Sequence, residues 1–77
     1  MKGKHMDIKI TYCSVWNYKP RAAGLAEMIK KEFGITPKLI PGSEGIYDII
    51  VDEKTIYSKY QTKRFPDNND IIKLIKE

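Results

Sequence analysis

The sequence predicts an α/β domain of the α+β kind, in the order β-α-β-β-β-α, with a four-stranded mixed sheet and two helices packed on one face. Three observations carry this. Asp7-Ile8-Lys9-Ile10-Thr11-Tyr12 alternates strictly between apolar and polar positions, the period of a strand with one buried face. After Pro20, Ala22, Leu25, Ala26, Ile29 and Phe33 recur at helical spacing. Two strand patterns, Ile46 to Val51 and Thr55 to Tyr60, are separated only by Asp52-Glu53-Lys54, which makes them a hairpin. The first strand, helix and second strand form a right-handed crossover between parallel strands, and the hairpin adds antiparallel pairing.

Each element has a local reason. Ile8, Ile10 and Tyr12 point to one side of the first strand, Lys9 and Thr11 to the other. Pro20 opens the first helix, where its missing N–H needs no partner, and Gly34 stands where a helix C-cap glycine belongs. Gly24 costs that helix up to ~1 kcal/mol against alanine, or marks close packing on the sheet. Ile35 to Ile40 is a short second strand weakened by Pro37, and Pro41-Gly42-Ser43-Glu44-Gly45 is a connecting loop. The hairpin strands carry Asp48 and Ser58 at polar positions of period two, so one sheet face is expected to be wet. Gln61 to Pro66 reads as a basic loop whose Lys63 and Arg64 form a solvated corner. Asp67 is placed to N-cap the last helix, and Ile71, Ile72, Leu74 and Ile75 form the apolar face of that helix.

Bulk properties exclude several classes. Met1-Lys2-Gly3-Lys4-His5-Met6 reads as an expression leader, leaving residues 7–77 as a single domain. His5 falls in that leader and receives no metal role. Without Lys2 and Lys4 the net charge drops from +4 to +2, too little for nucleic-acid binding, which needs clustered positive charge. No apolar run approaches the ~20 residues of a membrane span. A single cysteine makes neither an internal disulfide nor a cysteine-rich zinc site, and it fits a reducing cytoplasm. No serine has a histidine partner outside the leader, so a hydrolytic triad within the chain is excluded. A core this small allows weak homo-oligomerisation.

The chemistry gathers in Tyr12-Cys13-Ser14-Val15-Trp16-Asn17-Tyr18-Lys19-Pro20, a strand-to-helix turn holding the only cysteine and the only tryptophan. Two readings of Cys13 stand side by side: a small buried hydrophobe at a strand end, or an accessible thiol whose negative charge the following helix, Lys19 and Arg21 would favour. Trp16 is either a cap on the core beside the turn or an exposed contact surface, with Tyr12 and Tyr18 completing an aromatic patch around the thiol.

Three pieces of the chain resemble the selenoprotein W family, also called the Rdx family, of thioredoxin-like proteins. They are Tyr12-Cys13-x-x-x-x-Tyr18-Lys19-Pro20, Pro41-Gly42-Ser43-Glu44-Gly45-Ile46-Tyr47, and Ile56-Tyr57-Ser58-Lys59 followed by Arg64-Phe65-Pro66. The resemblance covers nearly all of residues 7–77 and implies a thioredoxin-like fold, in which the loop holding Ser43 faces the redox turn. It also implies Cys-x-x-Cys, or Cys-x-x-selenocysteine, in the first turn. Cys13 matches the first position; Trp16 occupies the second. A dithiol cycle needs one sulfur to attack and another to resolve the mixed disulfide, and this chain has one. The expected activity is therefore monothiol chemistry at Cys13, with glutathione or a protein partner's reactive cysteine. Trp16, Tyr18 and Ser43 would form the binding surface, Lys19 would give electrostatic support, and no cofactor is required. The alternative is a redox-inactive thioredoxin-fold binding module that uses the Trp16 turn as its contact surface.

Overall fold

The computed structural model describes residues 6–76. The leader expected at residues 1–6 lies outside the described residues, except for Met6, which packs beside the core. The elements run β1 (Ile8–Cys13), α1 (Lys19–Phe33), β2 (Lys38–Gly42), β3 (Tyr47–Val51), β4 (Lys54–Ser58), α2 (Lys59–Thr62) and α3 (Asn68–Lys76). The sheet order is β2-β1-β3-β4. β1 pairs in parallel with β2 and antiparallel with β3, and β3 pairs antiparallel with β4, so the sheet is mixed.

The alternation in β1 decides where the core sits. Ile8, Ile10 and Tyr12 lie opposite Val51, Ile49 and Tyr47, so these side chains share one sheet face. Ala22, Leu25 and Ile29 of α1 and Ile71, Ile72 and Ile75 of α3 join this cluster. α1 packs against β1, β2 and α3, while α3 also meets β4. Gly34 ends α1 in the left-handed region at φ 69°, its N–H bonded to the Lys30 carbonyl at 2.9 Å. Asp67 caps α3 by accepting the Asn69 N–H at 2.9 Å. Gly24 is exposed, and a methyl group there would meet nothing within 4 Å, so close packing does not account for it.

Two boundaries and one face differ from the sequence reading. Pro41 and Gly42 belong to β2 rather than to a loop, opposite Tyr12 and Cys13. β2 is an edge strand, where a residue without an N–H can sit with its open side away from the ladder. The last strand ends at Ser58, and Lys59–Thr62 forms a helical turn, so the chain has a third, short helix. The expectation of a wet face fails at one corner. Ser58 is buried, and Asp48 is half-buried with its Oδ1 fully covered and without a hydrogen-bond partner. α2 folds back onto β3 and β4 and covers this corner. Among the described residues, no helix is long and apolar enough to cross a membrane.

Candidate functional site

Cys13 is the last residue of β1, and its side chain is fully buried, at 0% exposure. Strand alternation turns it away from Tyr12, and so away from the main hydrophobic cluster. The turn that follows folds back onto it. The Asn17 N–H bonds the Ser14 carbonyl at 3.3 Å, with Asn17 in the left-handed region at φ 62°, which asparagine tolerates better than most residues. The Tyr18 N–H closes onto the Cys13 carbonyl at 3.1 Å. Within this loop, the Trp16 N–H donates to Cys13 Sγ at 3.4 Å. α1 begins only at Lys19, so the N–H that reaches the sulfur comes from the turn and not from the helix. The distance from Cys13 to the helix start agrees with the position of Pro20 in the sequence, which places that start several residues beyond the thiol.

A second segment locks the turn. Ser14 donates both its backbone N–H, at 3.2 Å, and its hydroxyl, at 3.3 Å, to the Gly42 carbonyl. Gly45 is buried with φ 75°, and the Trp16 ring lies against it: a Cβ added there would stand 2.5 Å from the Trp16 ring. Only glycine combines that backbone angle with that close approach. The Tyr60 hydroxyl, carried by α2, donates to the Glu44 carbonyl and ties down the other side of the loop. That hydroxyl titrates above its usual range, first through desolvation and then through the nearby Glu44, Cys13, Asp48 and Tyr18. Three separate segments thus converge at the thiol.

The aromatic patch exists, but its membership differs from the expected one. Trp16 meets Tyr18 edge-on at 6.1 Å between centroids, and Tyr18 meets Phe65 at 4.7 Å and Tyr47 at 6.4 Å. Phe65 and Tyr47 close the group at 5.2 Å. Tyr12 is not part of it; its side chain lies in the core, as the alternation with Ile8 and Ile10 requires. Arg21 stacks over Phe65 at 4.0 Å, and Lys59 stands 5.3 Å from Phe65 and 5.9 Å from Tyr18. Burial pushes the Tyr47 hydroxyl up to about 12 against the opposing pull of Arg21, whose carbonyl it contacts at 3.4 Å.

Of the residues expected at the site, Cys13, Trp16 and Tyr18 come together. Ser43 is exposed in the loop beside them, where its carbonyl accepts the Ile46 N–H at 3.3 Å. Lys19 is exposed at the start of α1, whereas the cations held against aromatic faces are Arg21 and Lys59. Lys63 and Arg64 are exposed, as a solvated corner requires. Lys59, Tyr60 and Phe65 reach the site only because α2 doubles back, a turn too short to leave a period in the sequence.

The sequence model of the Rdx family matches residues 7–77. The chain belongs to the Rdx family. As an Rdx-family chain it is expected to share its fold with solved relatives, and it does. A selenoprotein W-related protein from Vibrio cholerae superposes with a TM-score of 0.89 at 22% identity, covering 95% of this chain and 95% of that one. A protein from Bordetella parapertussis gives a TM-score of 0.89 at 22% identity, covering 95% of this chain and 96% of that one. At this identity the likeness is one of fold, and the fold is the expected thioredoxin-like one. No curated protein matches the chain by sequence.

Proposed function

We propose that this Rdx-family chain is a thiol redox protein limited to one-sulfur chemistry at Cys13, working in a reducing compartment such as the cytoplasm. The observation that carries the reading is the Trp16 N–H aimed at Cys13 Sγ at the end of β1. A backbone donor held on a sulfur is suited to stabilising charge on that sulfur as an S–S bond forms or breaks. With glutathione disulfide, the Cys13 thiolate attacks one sulfur. A Cys13–glutathione disulfide forms, the original S–S bond breaks, and the departing glutathione thiolate takes up the proton that Cys13 gave to solvent. A second thiol must then attack the mixed disulfide to restore Cys13, because the chain has no second cysteine. A partner protein's cysteine can replace glutathione in either step.

A second reading is favoured by one specific observation: the sulfur is 0% exposed, while Val15 is 77% and Trp16 is 58% exposed. In that reading the turn is a docking surface and Cys13 only fills space beneath it. The deciding experiment compares wild type with Cys13→Ser after incubation with glutathione disulfide, followed by intact mass and by partner capture. One glutathione adduct on wild type and none on the serine variant supports redox function. Equal partner recovery with no adduct on wild type leaves the binding module.

A further inference from the structure

Among the described residues, the cations on the surface around the turn have no carboxylate partner. Arg21 and Lys59 sit over the faces of Phe65 and Tyr18, and Lys19 is exposed next to Tyr18. Among the described residues the ion pairs are Lys9 with Asp7 and Lys76 with Glu32, and neither involves this surface. The acids nearby are largely committed elsewhere. Asp67 caps α3, and the Asp48 Oδ1 is buried. Glu44 is exposed beside Tyr60 and is the one carboxylate in the loop that meets Trp16. The same surface exposes Val15 and Trp16, the two most exposed large apolar side chains among the described residues.

We infer that the occupant of this surface is an acidic peptide segment, whose carboxylates pair with Lys59 and Arg21 while its apolar residues cover Val15 and Trp16. A neutral segment would desolvate these cations without giving them a partner, and a basic one would meet them as like charge. The net charge of +2 that remains without Lys2 and Lys4 steers weakly in the same direction. The inference takes from the proposed function only the place of docking. It names the class of protein segment that would present a cysteine to Cys13.

The test uses peptides without sulfur, so its outcome does not depend on whether Cys13 reacts. Two peptides share the same apolar residues; one carries glutamates and the other lysines at the flanking positions. Each is titrated into the wild-type chain while the emission of Trp16, the only tryptophan, is followed. At low salt the acidic peptide is expected to bind on the order of ten-fold more tightly, since two charge pairs at a solvent-facing surface are each of modest strength. The preference should shrink as salt rises and the screening length falls from ~30 Å at 0.01 M to ~8 Å at 0.15 M. Lys59→Glu should abolish or reverse it, while Lys54→Glu, at the far end of the sheet, should leave it intact. Equal affinity for both peptides, tighter binding of the basic one, no binding of either, or the same loss in both variants would overturn the inference. A concentration-dependent Trp16 signal without peptide would assign the surface to a second copy of the chain and overturn it as well. Failure of the glutathione experiment alone removes the redox reading and leaves the acidic docking surface in place.

Discussion

Replacing Gly45 by alanine should lift the cover from Cys13. Carbon atoms rest about 3.5–4.0 Å apart, and the new Cβ would stand 2.5 Å from the Trp16 Cζ3 and 2.9 Å from its Cε3. The ring must therefore retreat by roughly 1 Å, and being 58% exposed it has solvent to retreat into. The backbone adds a second cost, because φ 75° is left-handed and costs an L-residue ~1–2 kcal/mol. Gly34→Ala is the control: φ is 69° there and nothing lies within 4 Å, so it bears the backbone cost alone. Gly45→Ala should lose about 2–3 kcal/mol in chemical denaturation, roughly 1 kcal/mol more than Gly34→Ala. That excess falls on the turn over the sulfur. Alkylation of Cys13 under native conditions should therefore be about five- to ten-fold faster in Gly45→Ala than in Gly34→Ala, with a shifted Trp16 emission. If Gly45→Ala alkylates no faster than Gly34→Ala, or its Trp16 emission is unchanged, the ring does not guard the thiol.

Further outcomes follow from the same structure. Trp16→Cys puts a second sulfur on a residue whose N–H already touches Cys13 Sγ, so mild oxidation should close an internal disulfide, read by intact mass as the loss of two hydrogens. Failure to close it would deny the turn its redox geometry. Tyr47 ionises later in the folded chain than when unfolded. Its contribution should be intact below pH ~10 and lost as pH rises from ~10 towards 12, so denaturation midpoints should fall across that window and fall less in Tyr47→Phe. A midpoint that stays flat above pH ~10 would contradict this. Gly24→Ala should gain up to ~1 kcal/mol, raising the thermal midpoint by ~4–8 °C, because the position is helical, exposed and open. A loss instead would mean that Gly24 is packed or strained.

The parts legible in the sequence were those with a local period. β1, α1, the β3–β4 hairpin and α3 declared themselves through alternation, helical spacing and the Gly34 and Asp67 ends. The strand expected over 35–40 lies at Lys38–Gly42, because Pro41-Gly42 resembles a loop locally and only the sheet order shows Pro41 on an edge where its missing N–H does no harm. α2 is a single helical turn, ended by Lys63 at φ 66°, and one turn has no repeat to detect. At the site, Cys13 and Trp16 could be found because each residue type occurs once. The contacts of Trp16 with Gly45 and of Tyr18 with Phe65 and Lys59 join positions far apart in the chain, and no local pattern encodes them. Tyr12 did carry a usable signal. Its alternation with Ile8 and Ile10 assigns it to the core face, against its inclusion in the aromatic patch.

If Cys13 is the proposed working thiol, the turn over it must open without unfolding the chain, because the sulfur is fully buried. The most direct test is native-state thiol labelling of Cys13 across a denaturant series, compared with global unfolding of the same samples. The opening free energy at Cys13 should lie well below the global value and depend only weakly on denaturant, as local opening of a short turn does. An opening free energy equal to the global value, with the same denaturant slope, would mean that the sulfur meets reagents only in the unfolded chain. Cys13 would then be a packing residue.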